Sequence, residues 1–320
     1  MPSAYQIHGR TTHPWTTPAG LSNLRFNNDV PLPTAIPLGH ALVRIRAAAL
    51  NARDMMVISH DPVYPGEGEE GFDWREHSVR VKGAGSMQGT LRELGVFRDE
   101  ELIRAPDHLS FEELAAIPAT GATAIHALLY SPQPLRAGQT VLAQGTGGVS
   151  SFVIQIAAAL GATVIATSSS DAKLEQAKKL GATHTINYTT HPSWSTEVLR
   201  LTSGKGVDST IDVAGASTIQ ESLRSTRKGG QVCLVGFLSE SKGTDLVAEM
   251  IFGAKTVYGV LAFTRGMVER AVEVYARNKG LRPQVGEVHG WEEGEVRKAF
   301  ETLVRGGAVG KIVIKVGGED

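Results

Sequence analysis

From Thr140 onward, short β-branched runs alternate regularly with helical segments, and this alternation constrains the fold more than any other feature. A strand–helix–strand order of this kind predicts βαβ units and a parallel sheet covered by helices on both faces. Six such strands match a doubly wound nucleotide-binding sheet in an α/β fold. The predicted strands are Thr140–Gln144, Thr163–Thr167, His184–Asn187, Val207–Val213, Gln231–Gly236 and Thr256–Leu261. The predicted helices are Val149–Leu160, Ala172–Leu180, Thr196–Thr202, Thr218–Arg227 and Leu246–Phe252.

The residues before about position 115 have a different pattern, in which Pro, Gly and charged residues split short apolar runs. Ala41–Leu50 is predicted as a strand, and Glu93–Arg104 as one or two more. The first strong helical signal is the capping box formed by Ser110 and Glu113. The tail 266–320 has two further helical patterns and a final strand, Lys311–Val316.

Composition excludes several classes of function. The chain of 320 residues has 32 Lys and Arg against 33 Asp and Glu, a net charge of −1, which argues against binding nucleic acid or anionic membranes through bulk charge. Its single cysteine, Cys233, excludes a disulfide framework and any multi-cysteine zinc site. No 18-residue apolar run and no signal-peptide pattern occurs. We therefore expect a cytoplasmic protein that acts on a small molecule.

A glycine-rich turn joins the first predicted strand of the sheet to its first helix. Gly145 allows a tight turn after the strand, and Gly147 lets the backbone approach a pyrophosphate at the helix N-terminus. The third small position of the motif is Ser150. The alternative is a glycine turn that merely tightens packing. The residues predicted to cradle the pyrophosphate are Gly145, Thr146, Gly147, Gly148 and Val149.

The end of the second strand indicates which dinucleotide is bound. An NAD site usually places an acid there to hold the ribose 2′-hydroxyl. This strand instead runs into Ser168-Ser169-Ser170, and hydroxyls together with Lys173 suit a 2′-phosphate. Asp171 is either the acid of an NAD site or, as we favour, the cap of the following helix, and Lys173 has the alternative of a solvated lysine. NADP(H) is the predicted cofactor.

Several motifs together resemble the medium-chain dehydrogenase/reductase superfamily, in its zinc-type alcohol dehydrogenase-like and quinone oxidoreductase-like branch. They include GQTVLAQGTGGVSSFVIQIAAALGA around the glycine turn, the Asn51-Ala52-Arg53-Asp54 element and the closing GAVGKIVIKV. The resemblance implies a GroES-like β-rich substrate domain (1–115 and 266–320), a Rossmann domain (116–265) and an active site in the cleft between them. It also implies a homodimer or a tetramer that pairs Rossmann sheets edge to edge, and we expect a homodimer.

Two departures from that family pattern matter. The catalytic Cys and Gly-His-Glu elements of the zinc enzymes are absent, and the scattered histidines His40, His60, His77 and His126 show no ligand spacing, so no metal is expected. Without a metal, reduction of an activated acceptor is easier than oxidation of an alcohol. The block 66–88 is also shorter than the family's corresponding segment, which implies a truncated substrate domain.

The resemblance assigns further site residues. It places Ser168, Ser169, Lys173 and Tyr188 around the adenosine phosphate. Asn51 is predicted to orient the acceptor carbonyl or the nicotinamide ribose, and Tyr64 to hydrogen-bond the developing oxyanion or donate the proton. Asp54 is expected to be a partner of Arg53 or a backbone cap. The remaining cofactor contacts are predicted at Thr123, Gly236, Phe237, Leu261, Phe263 and Lys311.

Three functions are compatible with this pattern. The first is a zinc-independent NADPH-dependent oxidoreductase that reduces an enone-type or quinone-type C=C or carbonyl by direct hydride transfer. The second is a dehydrogenase-fold enzyme that isomerises or cyclises a biosynthetic intermediate without redox chemistry. The third is a dinucleotide-responsive interaction protein that is not an enzyme.

Overall fold

The structure, a computed structural model, describes residues 2–61, 89–239, 243, 245–261 and 263–317. The chain divides into two compact units. Unit 1 comprises Met1–Ala105, Ser110–Ala115 and Val285–Asp320, and unit 2 comprises Pro106–Leu109 and Ala116–Gln284. The described strands are β1 (Ala4–Ile7), β2 (Leu24–Asn27), β3 (His40–Arg44), β4 (Ala47–Ala49), β5 (Leu94–Arg98), β6 (Thr140–Gln144), β7 (Thr163–Ser168), β8 (His184–Asn187), β9 (Val207–Asp212), β10 (Thr226–Leu234), β11 (Thr256–Gly259), β12 (Val285–His289) and β13 (Lys311–Lys315).

The α-helices of the described part of the chain alternate with the strands of unit 2 and also occur in unit 1. They are Ala52–Ile58, Phe111–Ala116, Ala122–Ile125, Gly148–Ala159, Asp171–Lys179, Trp194–Leu201, Ile219–Ser225, Val247–Gly253, Arg265–Arg277 and Glu293–Arg305. Short 3₁₀ helices occur at Pro18–Asn23 and Asp99–Glu101, and π-helical turns at Ile117–Gly121 and His126–Tyr130.

Unit 2 is built on a six-stranded sheet in the order β11-β10-β9-β6-β7-β8, with every neighbouring pair parallel. When these six strands are renumbered from 1 to 6 along the chain, their order in the sheet is 6-5-4-1-2-3, which is that of a doubly wound Rossmann fold. The predicted α/β class is confirmed. Several predicted bounds are shifted by one or two residues, and the predicted end of the helix Thr218–Arg227 is wrong, because Thr226 and Arg227 open β10 instead. The hydroxyls of Thr226 and Thr210 lie 2.8 Å apart, and this contact between neighbouring strands holds Thr226 in the sheet.

The helix Arg265–Arg277 belongs to unit 2, whereas the sequence predicts that residues 266–320 return to the first domain. It packs against the helix Ala122–Ile125. The Tyr275 hydroxyl, fully buried, donates a hydrogen bond to Gln155 Oε1 at 2.6 Å. A buried aromatic group with a satisfied hydroxyl anchors this helix on unit 2.

Unit 1 contains small sheets instead of one large one: β1 with β2, β3 with β5, and β12-β13-β4. The predicted strand Ala41–Leu50 is therefore two strands in different sheets. A short helix missing from the sequence predictions, Ala52–Ile58, follows β4. The hydrophobic core of unit 1 brings together residues from distant parts of the sequence. They include Tyr5, Leu21, Leu24, Leu50, Met55, Ile58, Val296, Phe300, Ile312 and Ile314.

The capping box predicted at residue 110 is present. Glu113 accepts a hydrogen bond from the Ser110 backbone N–H at 2.8 Å, and Ser110 Oγ accepts one from the Glu113 N–H at 3.3 Å. The shortened block 66–88 and Tyr64 lie outside the described residues. Among the helices that the structure describes, none is both long and apolar enough to cross a membrane.

Cys233 lies on β10 with no exposed surface, and burial raises the pKa of its thiol to about 11. The thiolate is the reactive form, so modification of the native chain by a disulfide reagent such as Ellman's reagent should be at least roughly a hundredfold slower than modification of the unfolded chain. The chain has one cysteine, so absorbance of the released thiolate reports this site alone. Equal rates with and without denaturant would contradict the burial of Cys233.

Candidate functional site

The glycine turn after β6 has the geometry of an anion-binding loop. Gly145 has a φ of +74°, in the left-handed region that favours glycine, and the helix Gly148–Ala159 begins directly after Gly147. A Cβ on Gly147 would meet no heavy atom within 4 Å, so the backbone there is open to a ligand. The first turn of an α-helix also presents N–H groups that lack helical acceptors. A pyrophosphate fits this loop.

Ser150 occupies the third position of the motif and is buried. Its hydroxyl donates a hydrogen bond to the Gln144 carbonyl, which ties the helix back to the end of β6. This bond fixes the turn and gives the serine a local structural role. Thr146 is also buried, while Gly148 and Val149 are half-buried.

The ends of β7 and β8 lie side by side. The Tyr188 N–H donates to the Ser168 carbonyl at 3.0 Å, Ser168 is buried, and Ser169 and Tyr188 are exposed. Lys173 is half-buried on the first turn of the next helix. The Ser169 hydroxyl, the Tyr188 phenol and the Lys173 ammonium are therefore available at the position where an NAD site carries an acid.

The prediction that Asp171 caps this helix is wrong. The N-cap residue is Ser170, and Asp171 is the first helical residue. Its carboxylate instead accepts a hydrogen bond from Asn187 Nδ2 at 2.8 Å. Asn187 Oδ1 in turn accepts bonds from the backbone N–H and hydroxyl of Thr189, which holds the amide in place. Asp171 is thus directed toward the end of β8.

Beyond β10 and β11, the predicted nicotinamide-side residues include exposed apolar side chains. Phe237 is 49% exposed, Leu261 58% and Phe263 40%. They follow the carboxyl ends of parallel strands, the edge at which such sheets bind ligands. Gly236 has a packing reason to be glycine, because a Cβ there would lie 2.4 Å from the Val213 carbonyl oxygen.

A buried carboxylate that sequence reasoning missed stands at the same edge. Asp212, at the end of β9, has no exposed surface. It accepts hydrogen bonds from the N–H groups of Ala214 and Gly215 and from the hydroxyls of Thr218 and Ser222, at 2.6 to 3.0 Å. This carboxylate fixes the turn after β9. In the sequence, this role is indicated by an acidic residue at the end of a strand that is otherwise rich in β-branched residues.

Thr123 lies between two π-helical turns, Ile117–Gly121 and His126–Tyr130. Its hydroxyl donates to the Ala119 carbonyl at 2.7 Å. Pro118 lacks an N–H, and π-turns of this kind are frequent at functional sites. The predicted cofactor contact of Thr123 stays a prediction.

In unit 1, Asn51 precedes the helix Ala52–Ile58 and is held from three sides. Its backbone N–H donates to Asp54 Oδ2 at 2.7 Å, which confirms Asp54 as a backbone cap. Its Nδ2 donates to the Ala49 carbonyl at 3.2 Å, and its Oδ1 accepts from Lys311 Nζ at 2.7 Å. Lys311 Nζ also donates to the Leu50 carbonyl.

Lys311 is only 5% exposed, and burial lowers the pKa of its ammonium to about 8, with the charge of Asp54 opposing the shift. Burial likewise raises the pKa of Asp54, against the Asn51 hydrogen bond and the charges of Lys311 and Arg53. The sequence predicts Lys311 as a cofactor contact, but its ammonium is used within unit 1. Asn51 and Lys311 therefore form one unit-1 element of the candidate site.

Within the described residues, no group of three or more His, Cys, Asp or Glu side chains could hold a metal ion. His60 Nε2 lies 3.0 Å from the Gly9 carbonyl oxygen, His40 Nδ1 3.2 Å from that of Leu38, and His126 Nε2 2.9 Å from the Tyr258 hydroxyl. His77 lies outside the described residues.

Comparison with known proteins matches this geometry to a family. The family model for zinc-binding dehydrogenases matches residues 148–277. A zinc-type alcohol dehydrogenase-like protein of Schizosaccharomyces pombe is 32% identical over 329 aligned positions, covering 89% of this chain and 93% of that protein. A quinone oxidoreductase of Pseudomonas aeruginosa is 39% identical over 45% of this chain and 44% of its own length.

A solved structure described as an NAD-dependent alcohol dehydrogenase superposes with a TM-score of 0.80 at 30% identity, covering 99% of this chain and 100% of that one. The coverage and identity extend over both units and not over the dinucleotide fold alone. The chain belongs to the medium-chain dehydrogenase/reductase superfamily, in its zinc-type alcohol dehydrogenase-like and quinone oxidoreductase-like branch, and is an oxidoreductase of that family.

Proposed function

We propose that the protein is a zinc-independent NADPH-dependent reductase of small enones, quinones or related activated carbonyls. The observation that carries the cofactor choice is the end of β7. Ser168, Ser169 and Lys173 offer donors there, while the nearest acid, Asp171, is engaged by Asn187. A 2′-phosphate needs donors and positive charge, whereas the 2′-hydroxyl of NADH needs a carboxylate acceptor.

The class of molecule that accepts the hydride follows from which side chains could polarise its carbonyl. The described residues offer no set of metal ligands, so an acceptor that is already electron-poor fits better than an alcohol. NADPH would supply the hydride. The turn at Gly147 would hold its pyrophosphate, and Phe237, Leu261 and Phe263 would exclude water on the nicotinamide side. Asn51 would hydrogen-bond the acceptor carbonyl or the ribose, and Tyr64 stays the predicted proton donor. The Pseudomonas aeruginosa relative, by its name, acts on quinones.

A panel of quinones and enones tests this proposal. NADPH oxidation should exceed the rate without enzyme for at least one acceptor, with one acceptor molecule reduced per NADPH consumed. The same panel with added zinc and with a chelator serves as the control, and both should leave the rate unchanged. NADPH that binds but is not oxidised by any acceptor would contradict the reductase function.

Lys173 tests the cofactor preference. Its replacement by alanine should weaken NADPH binding by roughly tenfold and leave NADH binding within about twofold, because only NADPH carries the 2′-phosphate that the ammonium would contact. Fluorescence titration measures both affinities. Lys179→Ala, at the far end of the same helix, is the matched control. Equal affinities for NADPH and NADH in the unsubstituted protein would contradict the assignment and favour an NAD enzyme like the solved relative.

We also propose a homodimer formed at the β11 edge of the unit 2 sheet. β11 is an edge strand in the described sheet, and the helix before it exposes Val247 (64%), Ile251 (69%) and Phe252 (81%). A second copy would pair its β11 with this edge and cover the apolar side chains. Phe252→Asp should convert dimer to monomer in sedimentation velocity, whereas Leu38→Asp, an exposed leucine of unit 1, should not. A monomeric unsubstituted protein would contradict the dimer.

A further inference from the structure

We propose that Lys311 is a positioning residue that fixes the side-chain amide of Asn51 with Oδ1 inward, so that Asn51 Nδ2–H is the group offered to a bound ligand. The inference rests on the proposed function only in giving Asn51 a ligand to contact. That ligand is a hydrogen-bond acceptor, either the carbonyl oxygen of the acceptor molecule or a ribose oxygen of the cofactor.

The contacts of Lys311 place it at both ends of the same residue. Its ammonium donates to the Leu50 carbonyl, which is the peptide group immediately before Asn51, and to Asn51 Oδ1 at 2.7 Å. The lysine is 5% exposed, whereas Asn51 is half-buried. The amide is thus anchored by a buried ammonium, while Asn51 itself keeps part of its surface exposed.

An asparagine amide can rotate by 180° about its last bond and exchange its oxygen with its nitrogen. An ammonium has only donors, so it stabilises the orientation with oxygen inward and disfavours the reverse. Nδ2 has two N–H groups, of which one donates to the Ala49 carbonyl at 3.2 Å. No acceptor among the described residues takes the second N–H, which is the one we assign to a ligand, and the orientation is set before the ligand arrives.

The surrounding charges explain how a cation is tolerated there. Asp54 is the carboxylate whose charge opposes the lowering of the Lys311 pKa, and Arg53 acts on Asp54 in the same way as Lys311. Asp54 also accepts the Asn51 backbone N–H. Lysine, aspartate and asparagine therefore form one connected group, in which only Asn51 has a side able to meet a ligand.

The first test needs neither cofactor nor acceptor. The side-chain amide signal of Asn51, assigned by its loss in Asn51→Ala, should shift and exchange faster with solvent in Lys311→Met. Lys315→Met, on the same strand but exposed, is the control and should leave the signal unchanged. An unchanged signal in Lys311→Met would overturn the proposal even if the protein proved not to be a reductase.

The second test separates positioning from general damage. Lys311→Met should raise either the dissociation constant of NADPH or the KM of a reducible quinone by roughly fivefold to tenfold. In an Asn51→Ala background the same substitution should have no further effect. Whichever constant changes identifies the ligand that Asn51 meets. Losses that add in the double variant would overturn the proposal.

Asn51→Asp keeps a partner for Lys311 but has no N–H to offer. It should therefore bind the same ligand as weakly as Asn51→Ala does, while folding with Lys311 in place. This variant keeps the proposal testable if Lys311→Met fails to fold. Affinity equal to that of the unsubstituted protein in Asn51→Asp would overturn the assignment of Nδ2–H as the outward group.

Discussion

Gly147→Val is expected to weaken NADPH binding by at least roughly a hundredfold, about 2.7 kcal/mol, with little change in stability. Gly147 has a φ of −72° and a ψ of −167°, which valine adopts without strain, and its Cβ would meet no heavy atom within 4 Å. The added side chain would occupy the space above the helix N-terminus that a pyrophosphate needs. The free energy of unfolding should change by about 1 kcal/mol or less, the cost of a poor N-cap residue.

Titration of NADPH by fluorescence and urea unfolding measure the two quantities. Gly280→Val is the matched control, because a Cβ at Gly280 also meets no neighbour and the residue lies away from the turn. It should leave NADPH binding unchanged. Normal NADPH affinity in Gly147→Val would show that the cofactor does not bind over this turn.

Asp212→Ala is expected to lower the free energy of unfolding by about 4 kcal/mol, because each donor left without its acceptor costs about 1–3 kcal/mol. The substitution removes the acceptor of the N–H groups of Ala214 and Gly215, which are half-buried, and of the hydroxyls of Thr218 and Ser222. Each unsatisfied donor carries its own desolvation penalty. Urea unfolding of unit 2 measures the loss.

Asp171→Ala is the control for this substitution. Asp171 is an exposed acid at the carboxyl edge of the same sheet and has one side-chain partner, Asn187. Its removal should change stability by about 0.5 kcal/mol or less. A comparable loss in the two variants would mean that burial of the Asp212 network contributes nothing beyond an ordinary surface contact.

Much of unit 2 could be predicted from the sequence. The β-branched runs at Thr140–Gln144 and His184–Asn187 are strands with the predicted bounds, because their composition and turn residues agree with their tertiary setting. The secondary structure of unit 1 is harder to predict from the sequence. The helix Ala52–Ile58 has only seven residues, too few for a helical period to show, although Asn51 and Asp54 form a capping box at its start.

Some parts of the candidate site can likewise be predicted from the sequence, and others cannot. The glycine turn is local, so residues adjacent in sequence specify it. The role of Asp171 depends on Asn187, which lies beyond the intervening helix, and that of Asn51 depends on Lys311, 260 positions away. Pairings of this kind are set by which strands become neighbours, and a single sequence carries no direct signal for them.

The pairing of β13 with β4 also has a consequence for how the chain folds as it is synthesised. Unit 2 is nearly continuous and is complete once residue 284 has emerged, whereas unit 1 still lacks β12 and β13. Until those strands are made, Leu50, Met55 and Ile58 can pack only against the N-terminal part of their core, because Val296, Phe300, Ile312 and Ile314 are made last. The core of unit 1 therefore stays incomplete while more than two hundred further residues are made, and incompletely buried apolar segments of this kind are what chaperones bind.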